Sequence, residues 1–263
     1  MKTQIRPTLQ NCPSVLVIAG HDPAGAGIQA DIETIAALGC RAATLVTCLT
    51  TQNSRGVRSV HPTPGSLLLE QADCLLSDIS SPLACKIGLI PNEDSLAAVL
   101  EILRLLPVET PVVVDPVLGA TGGGSLSEAT MPASLLARLL PRATLATPNT
   151  AEFRRLTGTA SSPDVITRIA SDWCLIKGAD EPGDTIVHRL FQHGALFAAY
   201  HWPKIEGVFH GSGCTLASAI SAFVARREPL ATAVAHGLAY TWHALASPIA
   251  PGGVQLLPGR PYE

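Results

Sequence analysis

The sequence predicts a three-layer α/β/α domain with a mostly parallel central sheet. Short apolar runs rich in β-branched residues alternate with segments of helical period along almost the whole chain. Most of those runs are continuously apolar, as strands covered on both faces are. The 263 residues, 47% of them hydrophobic, suffice to bury one large core, so residues 1–263 read as a single domain behind a flexible extension at 1–13.

Residues 14–19, SVLVIA, form the first expected strand. A glycine-rich turn follows at 20–27, and Ile28, Ile32 and Ile35 then recur at helical spacing, which predicts an amphipathic helix over 27–38. Strand, glycine turn and helix open a βαβ unit. Gly25-Ala26-Gly27 lacks the third glycine of a dinucleotide fingerprint, so no such site is supported. The second strand is expected at 42–49, followed by a polar run, Thr50 to Ser54. Helical period returns at 64–78 and 93–105, with a strand at 84–87 between them. Residues 111–115, PVVVD, end a strand on a carboxylate, and the segment 119–127 carries four glycines. A helix over 135–140, a strand at 144–146, a helix from 149 to 156 and a strand at 173–177 come next. Residues 185–190 and 195–201 read as an antiparallel pair around Gln192-His193-Gly194. Two helices, 214–226 and 230–246, complete the pattern, and the tail after Pro248 has no clear period.

Composition narrows the function classes. The formal net charge of −3 and the 4% aromatic content give no basic or stacking surface for nucleic acid. No run approaches the ~20 apolar residues of a membrane helix, and 1–13 does not read as a signal peptide. The seven cysteines include no CxxC pair, which argues against a zinc site or a disulfide framework. A cytoplasmic location is expected.

The chemistry gathers at one end of the expected sheet, since ligands of such folds bind beyond the C-terminal ends of the strands. In Gly211-Ser212-Gly213-Cys214 two glycines flank a serine and a small-residue helix starts at once, so unpaired backbone N–H groups make a cradle for an anion. Cys214 falls in the first helical turn, where a thiol pKa is commonly lowered. Asp115 and Glu152 are candidates to organise Mg²⁺, which takes one or two carboxylates beside substrate phosphates. Asn149 and Glu152 share a helix face, and equally form the pattern of a capping box. Lys177 ends an apolar strand, either to meet phosphates or to snorkel to solvent. Gln52 offers both a donor and an acceptor to a heterocycle edge, or is a solvated loop amide. His21 and His210 adjoin glycine turns and read as structural hydrogen-bonders.

Together the motifs AGHDPAGAGIQAD (19–31), TTQN (50–53), KIGL (86–89), VVVDPV (112–117), TPNTAE (147–152), IKG (176–178) and HGSGCTLASAI (210–220) resemble the ribokinase-like superfamily. More closely, they resemble the hydroxymethylpyrimidine/phosphomethylpyrimidine kinases of thiamin biosynthesis, from about Val15 to Ala246. HGSGCTLASAI is the most specific of these motifs, and its cysteine at 214 resembles the pyrimidine kinases, because sugar and pyridoxal kinases usually carry Asp there. The resemblance implies ATP- and Mg²⁺-dependent phosphorylation of 4-amino-5-hydroxymethyl-2-methylpyrimidine and then of its monophosphate. It implies that Gly211, Ser212, Gly213 and Cys214 form the anion hole, with Cys214 as base for the substrate hydroxyl. Gln52 would bind the aminopyrimidine, with Ala26, Thr50 and Leu89 lining its pocket. Asp115, Asn149, Glu152 and Lys177 would lie near Mg²⁺ and the ATP phosphates. A homodimer is implied as well.

The chain departs from the family pattern in a glycine turn one residue shorter than usual. Thr50 and Leu89 stand where Val and Met are common, Thr121 replaces a frequent lysine, and Ala179-Asp180 follow Lys177-Gly178. The alternatives are a pyridoxal or pyridoxine kinase and a non-catalytic pyrimidine-binding regulator.

Overall fold

Nine strands join in one sheet in the computed structural model, which describes residues 12–79, 82–119, 124–159, 163–179 and 182–261. The strands are β1 (Ser14–His21), β2 (Arg41–Asn53), β3 (Gly56–Pro62), β4 (Ala84–Ile87), β5 (Val112–Val114), β6 (Leu145–Ala146), β7 (Trp173–Ile176), β8 (Thr185–Gln192) and β9 (Ala195–Pro203). Their order is β3-β2-β1-β4-β5-β6-β7-β8-β9. From β2 to β7 neighbours run parallel, and β3, β8 and β9 add antiparallel edges. Residues 1–11 of the expected extension, Thr121 with residues 120–123, and Asp180 lie outside the described residues.

Alternation along the strands divides the core in two. Val15, Val17 and Ala19 pack on the side of α1 (Gly27–Ala37), α7 (Ser212–Ala225) and α8 (Leu230–Ala246). Leu16 and Ile18 face the side of α2 (Gly65–Asp78), α3 (Glu93–Leu105), the short α4 (Met131–Ser134) and α5 (Thr150–Thr157). This is the three-layer arrangement that the apolar strands require, because each face must be covered. A short α6 (Pro163–Ile166) precedes β7.

Several expectations change. The polar residues 51–53 continue β2, whose end pairs with β3, a strand not foreseen. The helix expected at 135–140 is a π-helical turn over 135–139 followed by a 3₁₀ turn at 140–142. Pro141 explains this, since its ring clashes with the carbonyl four residues back and it lacks an N–H. Ile32 is 42% exposed, and the buried stripe of α1 runs through Ile28, Asp31 and Ile35 instead.

The tail after α8 is also structured. Leu256 bonds both sides of the entry to α7, accepting from His210 N–H at 2.8 Å and donating to Val208 O at 2.9 Å. The buried Arg260 donates to Gly25 O at 2.9 Å and Thr215 Oγ1 at 3.2 Å, and pairs with Glu33.

Candidate active site

The parallel strands end around a cavity of about 720 Å³. Every residue proposed from the sequence lines it: Ala26, Thr50, Gln52, Leu89, Asp115, Asn149, Glu152, Lys177, Gly211, Ser212, Gly213 and Cys214.

Gly27 and Gly211 set its shape. Gly27 has φ +54°, and a Cβ there would lie 2.2 Å from Gly20 O, so only glycine closes the turn onto β1. Gly211 enters α7 with φ +81°, and a Cβ there would stand 3.1 Å from Gly25 O. Among the described residues no side chain caps α7. Its first N–H groups therefore stay free to bind an anion at the positive end of the helix dipole.

A charged cluster adjoins that helix start. A Cβ placed on Gly213 would be 3.3 Å from Lys177 Nζ and 3.5 Å from Asp115 Oδ2. Lys177 Nζ donates to Asp115 Oδ1 at 2.7 Å and lies 3.8 Å from Glu152 Oε2. Thr147 Oγ1 also donates to Asp115 Oδ1, at 3.2 Å. Burial works to lower the Lys177 pKa, but Asp115 and Glu152 outweigh it and hold the pKa above the ordinary lysine value.

Asn149 and Glu152 form the capping box of α5. Asn149 Oδ1 accepts from Glu152 N–H at 2.7 Å, and Glu152 Oε2 accepts from Asn149 N–H at 2.8 Å. Of the two readings open in the sequence, capping is thus made, with both side chains still in the cavity wall. Among the described residues no three His, Cys, Asp or Glu side chains cluster as a metal cage. The donor set still fits Mg²⁺, which keeps several waters and binds through one or two carboxylates plus phosphate. Asp115 Oδ2 would lie 3.5 Å from a Cβ on Gly213, beside the start of α7.

Cys214 overturns one expectation. Its thiol sits in the first turn of α7 and receives the Gly27 N–H, but burial pushes its pKa up to about 12 rather than down. Desolvation of a thiolate outweighs the helix terminus and the nearby Lys86.

Thr50 and Gln52, on the last part of β2, line the same cavity. Thr50 Oγ1 donates to His21 O at 3.0 Å. Gln52, at the end of β2, is half-buried and donates to Asp22. Asp22 is buried and also bonds His210 Nε2 at 2.5 Å. His210 is therefore a hydrogen-bonder, as read from the sequence, though its partner was not foreseen.

Lys86 and Asp31 were passed over as site residues. Both are 0% exposed; Lys86 Nζ donates to Asp31 Oδ2 at 2.8 Å and Ser218 Oγ to Asp31 Oδ1 at 2.7 Å. Lys86 lines the cavity floor, and Asp31 holds its ammonium charged although burial opposes this. A lysine inside the apolar strand 84–87 and an aspartate on the apolar stripe of α1 were the signals. His188 on β8 also lines the cavity, its pKa lowered to about 4 by burial and by Lys177. All seven cysteines are free thiols, and no described helix is long and apolar enough to cross a membrane.

Comparison with known proteins bears on this geometry. A family model described as phosphomethylpyrimidine kinase matches residues 22–257. The chain is 37% identical over 243 residues to a hydroxymethylpyrimidine/phosphomethylpyrimidine kinase of Rhizobium meliloti, covering 88% of this chain and 90% of that one. It is 37% identical over 251 residues to the thiamine biosynthesis bifunctional protein ThiED of Geobacter sulfurreducens, covering 91% of this chain but 51% of that longer protein. Among solved structures, phosphomethylpyrimidine kinase from Clostridium difficile superposes with TM-score 0.74 at 29% identity, covering 89% of this chain and 99% of that one. The pyridoxal kinase of Staphylococcus aureus, in complex with AMP-PCP and pyridoxal, gives TM-score 0.84 at 24% identity over 96% of this chain and 95% of that one, a likeness of fold.

Proposed function

The chain belongs to the phosphomethylpyrimidine kinase family, and from that membership we propose that it phosphorylates 4-amino-5-hydroxymethyl-2-methylpyrimidine and then its monophosphate, with ATP as donor and Mg²⁺ as its counter-ion. The observation that carries this is the uncapped start of α7, beside Lys177 and Asp115, in a cavity that Gln52 also lines. An anion site and a polar heterocycle site in one cavity suit transfer of a phosphoryl group to an alcohol on a ring.

Phosphoryl transfer asks mainly for positioning and charge stabilisation. The N–H groups of Ser212, Gly213 and Cys214 receive the negative charge of the group in transit, and Lys177 holds phosphate oxygens from the β7 side. Bound Mg²⁺ neutralises phosphate charge, and Asp115 is the carboxylate that would hold it. Glu152 keeps Lys177 and the start of α5 in place. The substrate hydroxyl oxygen forms the new bond to phosphorus as the bond to ADP breaks, and the small fraction of Cys214 present as thiolate takes the hydroxyl proton. Ala26, Thr50 and Leu89 pack against the ring. The homodimer implied by the family resemblance belongs to the same proposal, and light scattering on the eluted protein tests it.

The decisive experiment is coupled ADP release over hydroxymethylpyrimidine, its monophosphate, pyridoxal, pyridoxine and ribose. Release dependent on the two pyrimidines supports the reading. Turnover of pyridoxal alone, or pyrimidine binding without ADP, would sink it.

A further inference from the structure

We propose that Asp22 and His210 are positioning residues that fix which way round Gln52 presents its amide, so that the pocket selects a ring with a hydrogen-bond donor at that edge. This rests on the acceptor site proposed above, and concerns what that site rejects.

The argument follows the donors. Asp22 is buried in the glycine turn, with Oδ1 taken by Ala24 N–H at 2.7 Å and Oδ2 by His210 Nε2 at 2.5 Å. Burial alone would raise its pKa, but the bonds from His210, Gln52 and Ala24 hold it below the ordinary carboxylate value. At neutral pH it is ionised and accepts only. Gln52 can therefore meet it with the NH₂ end alone. A reversed amide would set carbonyl oxygen against carboxylate oxygen.

The consequence falls on the other end of the amide. Gln52 Oε1 is buried and has no partner among the described residues, in a side chain that lines the cavity. A buried carbonyl oxygen left without a donor is costly, so the bound ring must supply one. An exocyclic amine does this, and the second N–H of Gln52 is then free for a ring-nitrogen acceptor beside it. His210 Nδ1 is likewise buried without a partner among the described residues. Gln52 Oε1 can only accept, so the pocket asks for a donor there. A ring with an oxo group in place of the amine presents acceptor and donor in reversed order and meets Gln52 wrongly at both points.

Asparagine at position 22 is nearly isosteric and can donate to Gln52 Oε1, which permits the reversed amide. The test is calorimetric titration, without nucleotide, of the amine and oxo analogues of one hydroxymethylpyrimidine against the wild type and Asp22→Asn. In the wild type the amine should bind about tenfold or more tightly, the size of one mismatched buried group. In Asp22→Asn the ratio should move toward unity, mainly through tighter oxo binding, a gain that mere damage to the fold would not give. Equal affinities in the wild type, or an unchanged ratio in the variant, would overturn the proposal. Because nucleotide is absent, an amine preference supports it even where no ADP is released, a result that would instead remove the kinase reading.

Discussion

Lys177 Nζ lies 2.7 Å from Asp115 Oδ1, joining the ends of β7 and β5 across β6. The pair holds a cation and a carboxylate at the start of α7 before any phosphate arrives. On the function proposed above, an incoming phosphate would compete for Lys177 and leave Asp115 to a metal. Lys177→Met should lower kcat/KM for ATP by about 10²-fold, the usual loss for one charge-stabilising donor. Asp115→Asn should raise the Mg²⁺ concentration needed for half-maximal rate. Initial rates over an ATP and Mg²⁺ grid measure both, and an unchanged Mg²⁺ dependence would return Asp115 to a purely structural pairing with Lys177.

Cys214 gives a pH prediction whose sign follows from burial. With its pKa near 12, the thiol is protonated across the neutral range, and its thiolate fraction rises tenfold per pH unit. If the thiolate takes the proton, kcat climbs with pH through the range 7–10 without a plateau. Cys214→Ala should lower kcat by ~10²–10⁴-fold and flatten that slope, while ATP binding stays nearly intact because the backbone amides remain. A flat wild-type profile would make Cys214 a pocket wall.

Gln52→Leu removes the polar edge of the acceptor pocket with little change in size. The ring's amine would be buried unpaired, at about 1–3 kcal/mol, or roughly 5- to 150-fold in kcat/KM. The loss should appear for both the alcohol and its monophosphate, and ATP affinity should hold. An equal loss for ATP would show that the residue acts on the whole cavity rather than on the ring.

Lys86→Met leaves Asp31 buried without its cation. Breaking such a pair costs about 3–5 kcal/mol, visible as a lower urea midpoint. Lys86→Met combined with Asp31→Leu should regain most of the loss, since an apolar pair of similar volume needs no partner. A single variant as stable as the wild type would mean that the pair is not charged.

The parts legible in the sequence were those where period and burial agree. Strand 84–87 and helix 93–105 have the expected bounds because apolar spacing and ends coincide there. β3 escaped because Val57 and Val60 fall three apart, so no alternation marks an edge strand that contacts solvent. Ile32 misled because hydropathy cannot see that Asp31 has a buried lysine waiting for it. In the site, residue types at strand ends pointed to Gln52, Asp115, Asn149, Glu152 and Lys177, a glycine turn before a helix to Gly211 through Cys214, and the family resemblance to Ala26, Thr50 and Leu89; all of them line the cavity. Directions of charge were less visible. The thiol of Cys214 was expected to be acidified, and only packing reveals the desolvation that reverses it. Likewise Asp22 and His210 stand 188 residues apart, and no local pattern joins them.

The bond from Arg260 to Gly25 spans 235 residues and closes the acceptor turn from behind. Strands β1, β2 and β4 and their helices can associate from the first third of the chain. The turn between β1 and α1 cannot take its final support until residue 260 exists. During synthesis, which runs from the N-terminus, the sheet precedes the pocket that it carries. Closing so long a loop also costs chain entropy that only already-formed contacts can offset. The brace that Arg260 gives this turn is thus made late in synthesis, and loosening the tail would remove it while leaving the sheet paired.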